Sequence, residues 1–599
     1  MKSLAKLNRY LFRYRGTVLL GVLFLTAANF FLIWIPVLIR QTMDEVERLS
    51  SDYSQSGASV LEVLFSEEAG AILAWNSLFL TGAVAMYGLF LFATRQTLIV
   101  SSRKVEYDIR NDILDKLFSL PQEYYSEMSP GELYVRATED VARVREYFGP
   151  VLMYTVNTIT RAGFIIVMMI IVSPDLTVWA LSPLPLLSAF AYWVSGFIHK
   201  YQTLIQEQYS RIAGSANEAF SSIRLIKAYR RESNEQKKFE LESEEYRKKK
   251  LKLDMVESMF HPTLNLLIGI SVIVVIWQGG RMVIEDQLTV GNIAEFIIYV
   301  AYLTWPVAAL GYTVNRFQKS IASWERIEEV LDESFDIEDD KNTVKGDISA
   351  NGDIVFENVS FKYPGAEEYA VRDISLTIPS GKRVAFIGRT GSGKSTLIQL
   401  IPRLYDPQKG RILLNGIDLK QWPLADLRRG IGYVPQDTFL FSTTIRENIA
   451  FGVNEADDMQ VQLAAKKAHV LDNILEFEKK FETIVGERGI TLSGGQKQRT
   501  AIARALIKDP DIIILDDSLS AVDTRTEDTI LRQLQEELKR RTTIMISHRI
   551  SSVMSADIIY YLDDGTLAES GTHRELMALD GQYATTYRKQ LIEQELDEI

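Results

Sequence analysis

Long apolar segments fill the first half of the chain and are missing from the second half. Six of them reach about 20 residues, the length that an α-helix needs to cross a bilayer. A single segment of this kind is also typical of a buried core helix, but six before residue 320 favour a membrane domain. The predicted spans are at about 17–39, 71–100, 150–172, 176–198, 262–283 and 293–315.

Lysine and arginine are distributed unevenly between the segments that join these spans. The short connections 40–70, 173–175 and 284–292 together hold only Arg40 and Arg48. The long connections, 101–149 and 199–260, hold many more basic residues. Since basic residues stay on the cytoplasmic side, both termini and both long connections are predicted to be cytoplasmic.

The long connections are charged, yet they keep the apolar spacing of helices. We predict that segments 101–120 and 203–255 extend the membrane helices into the cytoplasm. Each connection is interrupted once, at 121–131 and around 214–224. We expect these short tip elements to dock on another domain; plain connecting turns are the alternative.

The pattern changes after the last apolar span. An acidic, loop-like linker at 331–350 is followed by alternating strand and helix patterns that continue to the end of the chain. The predicted organisation is a membrane domain at 1–330, the linker at 331–350 and a soluble domain at 351–599.

The amino-acid composition excludes several kinds of catalytic and metal site. The 599 residues include no cysteine, which excludes disulfides, cysteine-ligated metals and thiol catalysis. Lysine and arginine number 66 against 78 acidic residues, a net charge of −12, so a basic footprint over the whole chain is absent and no nucleic-acid partner is predicted. Only five histidines are present, which disfavours a polyhistidine metal site.

A glycine-rich motif in the soluble domain matches G-x-x-x-x-G-K-[ST], between an apolar strand and an apolar-periodic helix. Its backbone amides and the helix N-terminus favour phosphates, Lys394 is placed to reach the β- and γ-phosphates, and Ser395 is a candidate Mg²⁺ ligand. The residues expected around the phosphates are Gly388, Arg389, Thr390, Gly391, Ser392, Gly393, Lys394, Ser395 and Thr396. The predicted fold class is therefore an all-α membrane domain of six transmembrane helices with long cytoplasmic extensions, followed by an α/β P-loop nucleotide-binding domain.

Two further motifs complete the pattern. The apolar strand 512–515 ends in Asp516, a carboxylate beside the P-loop of the kind that contacts Mg²⁺, and Asp517 follows it. Between this strand and the P-loop, the sequence Leu-Ser-Gly-Gly-Gln at 492–496 opens a helix. With these motifs the chain resembles one half of an ATP-binding cassette (ABC) exporter over nearly its whole length.

The resemblance implies a dimer with two composite ATP sites that use ATP and Mg²⁺. The signature residues of one subunit would face the γ-phosphate bound by the other: Ser493, Gly494, Gly495 and Gln496. It further implies that Tyr363 stacks on adenine, that Gln436 contacts Mg²⁺ and water, and that His548 lies at the γ-phosphate. Residues 520–523 resemble the loop that crosses the dimer interface, and Glu487 and Arg488 resemble the segment that contacts the membrane stalks.

One position departs from the family pattern. The family usually has glutamate after Asp516 as the general base, whereas this chain has Asp517, whose side chain is one methylene shorter. Because a misplacement of ~1 Å can cost ~10²-fold in rate, we expect slow or absent hydrolysis at this chain's own P-loop. Bacterial heterodimeric ABC exporters resemble this pattern in their degenerate-site subunit, which favours a heterodimer with a second half-transporter. A homodimer that uses Asp517 as a slow base is the alternative.

The resemblance also implies a function. We expect ATP-driven export of small amphipathic or hydrophobic substrates (drugs, lipids or peptides) by alternating access, in a multi-pass protein of the bacterial inner or cell membrane in contact with its lipids. The alternative is an ATP-gated membrane protein that does not transport. A soluble ABC ATPase is excluded by the six apolar spans.

One charge lies inside a predicted span. Arg161 is about eleven residues from the outer turn at Ser173, roughly 17 Å at the helical rise of about 1.5 Å per residue, near the middle of the bilayer. A charge at that depth is costly and usually faces a wet cavity. We predict that Arg161 lines the transport path; an interhelical pair with a polar or carbonyl group is the alternative.

Overall fold

The computed structural model of the chain describes residues 2–54, 67–334, 337–339, 343–344, 350–486, 489–517, 532–534 and 536–597, apart from some side chains within the helices. The chain divides into two compact units. The first combines Met1–Ser119 with Pro130–Glu333, and the second combines Leu120–Ser129 with Ser334–Ile599. Part of the predicted linker lies outside the described residues, and the boundaries at 330 and 350 stay a prediction.

The described part of the first unit consists of helices and short connections. Its α-helices are α1 (Lys2–Arg13), α2 (Arg15–Ser54), α3 (Glu67–Thr94), α4 (Val100–Ser119), α6 (Pro130–Val135), α7 (Val141–Glu146), α8 (Leu152–Val172), α9 (Pro174–Leu181), α10 (Leu184–Ser221), α11 (Ile223–Ala228), α12 (Glu232–Ile284) and α13 (Val290–Asp332). Short π-helical turns continue the helical path at Arg95–Ile99, Arg136–Asp140 and Tyr147–Val151.

Four helical stretches among the described residues are long and apolar enough to cross a membrane. They are Arg15–Leu49, Gly70–Ser119, Pro130–Val172 and Asn265–Ile284. The other two predicted spans, 176–198 and 293–315, fall on α9, α10 and α13, where several side chains are not described. The first three contain the predicted spans 17–39, 71–100 and 150–172, and the fourth contains all but the first three residues of the predicted span 262–283. The second and third also extend about 20 residues beyond the predicted span.

Capping side chains fix the helix starts at the predicted outer turns. The Ser173 hydroxyl accepts a hydrogen bond from the Leu176 amide at 3.2 Å, with Pro174 as the first helical residue of α9. Thr289 and Asn292 cap each other's backbone amides at the start of α13. These caps satisfy amides that have no partner inside the helix, and they place two turns where the sequence predicts them.

The first predicted tip element agrees with the structure, whereas the second begins later than predicted. The helix α5 (Gln122–Glu127) is isolated by Pro121 and Met128, and its segment belongs to the second unit. Helix α10, however, continues through Gly214 to Ser221. One glycine costs a helix only about 1 kcal/mol, which the neighbouring turns of a 38-residue helix easily offset.

The second unit contains two sheets in its described residues. An antiparallel sheet has the order β2-β1-β4-β5 and a mostly parallel one has the order β10-β9-β3-β8-β7-β6. The strands are β1 (Ile354–Phe361), β2 (Val371–Ile378), β3 (Arg383–Gly388), β4 (Lys409–Leu414), β5 (Ile417–Asp418), β6 (Ile431–Val434), β7 (Ile512–Asp516), β8 (Thr542–Ile546), β9 (Ile558–Asp563) and β10 (Thr566–Gly571).

Helices cover these sheets. They are α14 (Lys394–Gln399), α15 (Leu424–Arg429), α16 (Ile445–Ala450), α17 (Asp458–Lys467), α18 (Leu471–Glu476), α19 (Gly494–Leu506), α20 (His573–Leu579) and α21 (Gln582–Asp597). Alternate residues of β3 face different cores: Val384 and Phe386 join a cluster with the antiparallel sheet, and Ala385 and Ile387 pack with α20 and α21. Because β3 is buried on both faces, it is rigid where the P-loop leaves it.

A buried carboxylate connects α13 to the segment that follows α6. Asp140 is 0% exposed, and its Oδ2 accepts a 2.8 Å hydrogen bond from Arg326 Nε. The neighbouring Glu139 is exposed and pairs with Arg143 at 3.2 Å. Adjacent residues thus provide a buried ion pair and an exposed one.

We expect Asp140→Ala to destabilise the first unit by about 1–3 kcal/mol, because it removes the partner of a half-buried guanidinium. Thermal unfolding in detergent should show a midpoint several degrees lower. The matched control Glu139→Ala should change the midpoint little, since exposed ion pairs contribute about 0–1 kcal/mol. Equal shifts in the two variants would contradict the assignment.

Candidate active site of the second unit

The P-loop follows β3 in a conformation that requires glycine. Gly388, Gly391 and Gly393 have φ angles of 154°, 84° and 90°. A Cβ at Gly388 would lie 2.1 Å from the Leu562 carbonyl oxygen, and one at Gly393 would lie 2.4 Å from the Ala370 carbonyl oxygen. Only glycine combines positive φ with so close an approach of other backbone. The predicted motif therefore forms a tight loop at the start of α14.

Lys394 folds back over this loop. Its Nζ donates hydrogen bonds to the carbonyl oxygens of Gly388 at 2.9 Å and Arg389 at 2.7 Å. Burial lowers the pKa of the Lys394 ammonium, and the charges of Asp517 and Asp516 oppose that shift. The ammonium lies inside the concave face of the loop, where a phosphate would meet it.

Asp516 ends β7 beside the P-loop helix. Its Oδ1 accepts a 2.8 Å hydrogen bond from Ser395 Oγ, and the side chain is almost fully buried. Burial raises the pKa of the Asp516 carboxyl; the Ser395 hydrogen bond opposes this rise and the Asp517 charge adds to it. Tyr433 also donates to Asp516 Oδ2 at 3.4 Å. The pair of Ser395 and Asp516 presents the hard oxygen atoms that Mg²⁺ prefers.

Asp517 lies among the other predicted catalytic groups. Its Oδ2 is 3.4 Å from Gln436 Nε2 and 3.8 Å from His548 Nε2. Its backbone has φ of 41°, a left-handed conformation that aspartate tolerates better than most residues. The amide of Asp517 donates to the Ile546 carbonyl oxygen at 3.0 Å, which holds this turn against β8.

The sheet topology explains why these groups meet. Strands β3, β8, β7 and β6 are neighbours and parallel, so their carboxyl ends share one edge of the sheet. The P-loop leaves that edge after β3. The other groups leave it after the remaining strands: His548 after β8, Asp516 and Asp517 at the end of β7, and Gln436 after β6.

Tyr363 lies next to the P-loop helix. Its hydroxyl is 3.1 Å from Thr396 Oγ1, and its ring contacts Phe361 and Tyr405 edge-on. The sequence predicts adenine stacking for Tyr363, and the structure places the ring at the nucleotide end of α14. The stacking itself stays a prediction.

The signature motif forms a capped helix start. Ser493 Oγ accepts from the Gln496 amide at 3.3 Å, and Gln496 Oε1 accepts from the Ser493 amide at 3.0 Å. Gly494 and Gly495 form the first turn of α19. No described hydrogen bond connects this motif to the P-loop. Residues 520–523, Glu487 and Arg488 lie outside the described residues.

Arg161 is in α8 of the first unit. Its guanidinium carbon is 5.0 Å from the centre of the Tyr302 ring. The sequence pattern did not predict Tyr302 beside Arg161 or Tyr433 beside Asp516. A tyrosine inside an apolar span or a buried strand is a weak signal, since most such rings serve only packing.

The residues present fit a nucleoside triphosphate with Mg²⁺. Gly388, Gly391 and Gly393 give the loop the positive-φ backbone typical of a loop whose amides surround a phosphate. Lys394 would supply the cation, and Ser395, Asp516 and Gln436 would supply oxygen ligands for the metal.

Comparisons with known proteins agree with this geometry. The family described as "ABC transporter transmembrane region" matches residues 18–307, and the family described as "ABC transporter" matches residues 371–520. The "Probable multidrug resistance ABC transporter ATP-binding/permease protein YheI" of Bacillus subtilis (strain 168) is 37% identical over 529 residues, covering 87% of this chain and 90% of the relative.

Two further similarities extend over most of the chain. An "ATP-dependent lipid A-core flippase" of Salmonella paratyphi A (strain ATCC 9150 / SARB42) is 32% identical and covers 88% of this chain and 90% of its own length. The solved "Structure of a bacterial Atm1-family ABC exporter with ATP bound" has a TM-score of 0.72 at 26% identity, over 98% of this chain and 99% of that one.

We expect Gly388→Ala to weaken ATP binding strongly, because the new methyl group would displace the loop from the Leu562 carbonyl. Gly391→Ala is the matched control: it also has positive φ, but nothing lies within 4 Å of its Cβ position. Binding of a fluorescent ATP analogue should fall by about tenfold more in the first variant, since about 1.4 kcal/mol corresponds to a factor of ten. Equal affinities would contradict the steric account.

Proposed function

The chain belongs to the ABC transporter family, among the exporters that join a transmembrane region and an ATP-binding domain in one polypeptide, and we propose that it exports small amphipathic or hydrophobic compounds by alternating access. The observation that carries the proposal is the fusion of an apolar helical unit with a complete P-loop site. A multidrug resistance protein and a lipid A-core flippase among the relatives support this substrate class.

In the proposed ATP site, the P-loop amides and Lys394 hold the phosphates. Ser395, Asp516 and Gln436 hold Mg²⁺, which neutralises charge on the phosphate oxygens when it is bound. Tyr363 supports the adenine, and His548 approaches the γ-phosphate. Dimers are the functional form of ABC exporters, and in such a dimer Ser493 to Gln496 would complete the partner's site.

The length of the Asp517 side chain governs hydrolysis in this proposal. Gln436 Nε2 and His548 Nε2 lie within 4 Å of the Asp517 carboxylate, which supports Asp517 as the residue in the role of the base. Its carboxylate is withdrawn by about one bond relative to glutamate, which lengthens the path to the attacking water. We infer a slow or inactive site on this chain and a heterodimer whose second subunit carries the faster site.

The proposed coupling uses the cytoplasmic tips. The segment of α5 belongs to the same compact unit as the ATP site, although it lies between two helices of the membrane unit in sequence. A segment placed in this way would transmit the closing motion of the ATP-binding domains to the membrane helices. The positive residues of the long connections support a cytoplasmic ATP domain and an inner or cell membrane location.

A homodimer is the second candidate. The observation that favours it is the contact of Asp517 with Gln436 and His548, because a carboxylate held there can act as a base at reduced rate. Native mass spectrometry of the purified protein in nanodiscs, combined with its ATPase rate, decides between the two. A vigorous homodimer contradicts the heterodimer; low turnover that rises on co-expression with a glutamate-bearing half-transporter supports it.

We expect Asp517→Glu to raise the ATPase rate at this chain's own P-loop by about tenfold or more, because the longer side chain restores reach to the water. In a heterodimer whose partner carries the faster site, the total rate should rise by no more than about twofold, and Asp517→Asn should leave it nearly unchanged. A large loss in the asparagine variant, without a gain in the glutamate variant, would show that aspartate is already the working base.

Ser493→Ala separates the two composite sites. We expect it to reduce ATP turnover by the complex while leaving ATP affinity at this chain's own P-loop unchanged, since the signature would complete the partner's site. Thr572→Ala is the matched control, because Thr572 and Glu575 form the same kind of cap at α20. Equal loss of turnover in the two variants would indicate a capping effect alone.

A further inference from the structure

The segment that carries His548 leaves β8 without regular secondary structure, and side chains hold its backbone in place. Ser547 Oγ accepts a hydrogen bond from the Arg549 amide at 3.0 Å. Gln590 of α21 contacts the same segment through both ends of its side-chain amide. Its Oε1 accepts from the Ile550 amide at 2.9 Å, and its Nε2 donates to the His548 carbonyl oxygen at 2.6 Å. One side chain, 42 positions along the chain from His548, therefore binds the backbone on both sides of Arg549.

Glutamine is well suited to these two contacts, because its amide carries a donor and an acceptor side by side. The Ile550 amide can only donate and the His548 carbonyl can only accept, so the two contacts determine which end of the Gln590 amide is which. A carboxylate at position 590 would keep the bond to the Ile550 amide and repel the carbonyl oxygen of His548. An aliphatic side chain would make neither bond and would leave both backbone groups without this partner.

The helix that carries Gln590 is bound firmly to the mostly parallel sheet. Tyr583 of α21 is fully buried and packs in one cluster with Ile550 and with residues of β3. Further along the helix, Thr586 Oγ1 lies 3.1 Å from the Tyr561 hydroxyl of β9. Because the P-loop follows β3, these contacts fix Gln590 relative to the strand that positions the P-loop.

The contacts of His548 depend on the position of its backbone. Its Nε2 is 3.8 Å from Asp517 Oδ2, and its side chain is 39% exposed, so few other groups restrain the imidazole. A displacement of ~1 Å at a reacting group can cost ~10²-fold in rate. A small movement of the segment 547–550 would therefore be enough to remove His548 from Asp517.

We propose that Gln590 is a positioning residue for His548: it holds the backbone of the segment so that the imidazole stays beside Asp517. Gln590 acts only through His548 and contacts neither nucleotide nor metal. The inference deepens the proposed function, and its connection with the γ-phosphate rests on the role proposed there for His548. The exposure of the His548 side chain can be measured without nucleotide.

Modification of histidines by diethyl pyrocarbonate, read by peptide mass spectrometry on the full chain in nanodiscs, measures that exposure. Gln590→Leu should speed the modification of His548 by about threefold to tenfold, because the loss of two hydrogen bonds releases the segment. The exposed His469 of the same unit is the internal reference, and its rate should not change. Lys589→Leu alters an exposed neighbour on α21 and is the matched control, which should leave both rates unchanged.

An unchanged His548 rate in Gln590→Leu overturns the proposal, and so does an equal increase at His469, which indicates a general loss of structure in the unit. If that variant does not fold, Gln590→Glu carries the test. It keeps the acceptor for the Ile550 amide and loses the donor to the His548 carbonyl, so His548 should again react faster. A wild-type rate at His548 in Gln590→Glu overturns the proposal.

The affinities for ATPγS and ADP, each with Mg²⁺, extend the test to the nucleotide. Gln590→Leu should weaken ATPγS binding by about threefold or more and leave ADP binding unchanged, because ADP has no γ-phosphate for His548 to approach. In a His548→Ala background the same substitution should have no further effect, since two residues that act through one group are not additive. A full additional loss in that background overturns the proposal.

The positioning proposal and the proposed function can fail separately. If His548→Ala leaves ATPγS affinity unchanged, the role of His548 at the γ-phosphate is contradicted, and the modification rates still decide whether Gln590 positions it. If His548→Ala weakens ATPγS binding and Gln590→Leu does not, the positioning proposal is overturned while the role of His548 stands.

Discussion

The shared edge of four parallel strands is the constraint on which the chemistry of this protein depends. Each strand is buried and hydrogen-bonded to its neighbours, so the loops that leave its carboxyl end have little freedom in where they begin. The groups of the site meet only because their strands are adjacent; they are the P-loop, Asp516, Asp517, Gln436 and His548. The same burial lowers the pKa of the Lys394 ammonium and raises the pKa of the Asp516 carboxyl, and the charge of each group opposes the shift of the other.

Because this frame is rigid, we expect the difference between aspartate and glutamate at position 517 to have a large effect on the hydrolysis rate. The strand end cannot move forward to compensate for a shorter side chain, because the amide of Asp517 is bonded to β8. Gln436 and His548 reach residue 517 without the longer side chain of glutamate, since both lie within 4 Å of the aspartate carboxylate. In the proposed mechanism, the shorter side chain therefore changes the distance to the attacking water and leaves the contacts with Gln436 and His548 in place.

Local sequence pattern was sufficient to predict the P-loop between a strand and a helix, the helix that the signature motif opens and four of the six apolar spans. These features can be recognised from neighbouring residues alone: a glycine with positive φ, a serine at an N-cap and an apolar span. Contacts between distant segments have no such local signal in the sequence. Tyr433 donates a hydrogen bond to Asp516, 83 positions away, and Asn29 donates one to Asn157, 128 positions away. The second interruption lies at Ser222, near the end of the predicted 214–224, because Gly214 alone does not end a long helix.

We expect ATP turnover to drive an amphipathic compound across the membrane against its gradient. The decisive experiment is uptake of a fluorescent amphiphile into inside-out proteoliposomes that contain the assembled transporter, with either ATP–Mg²⁺ or ADP–Mg²⁺. The account predicts accumulation above the external concentration with ATP and none with ADP. Equilibration to the external concentration with either nucleotide, at normal ATP turnover, would contradict it.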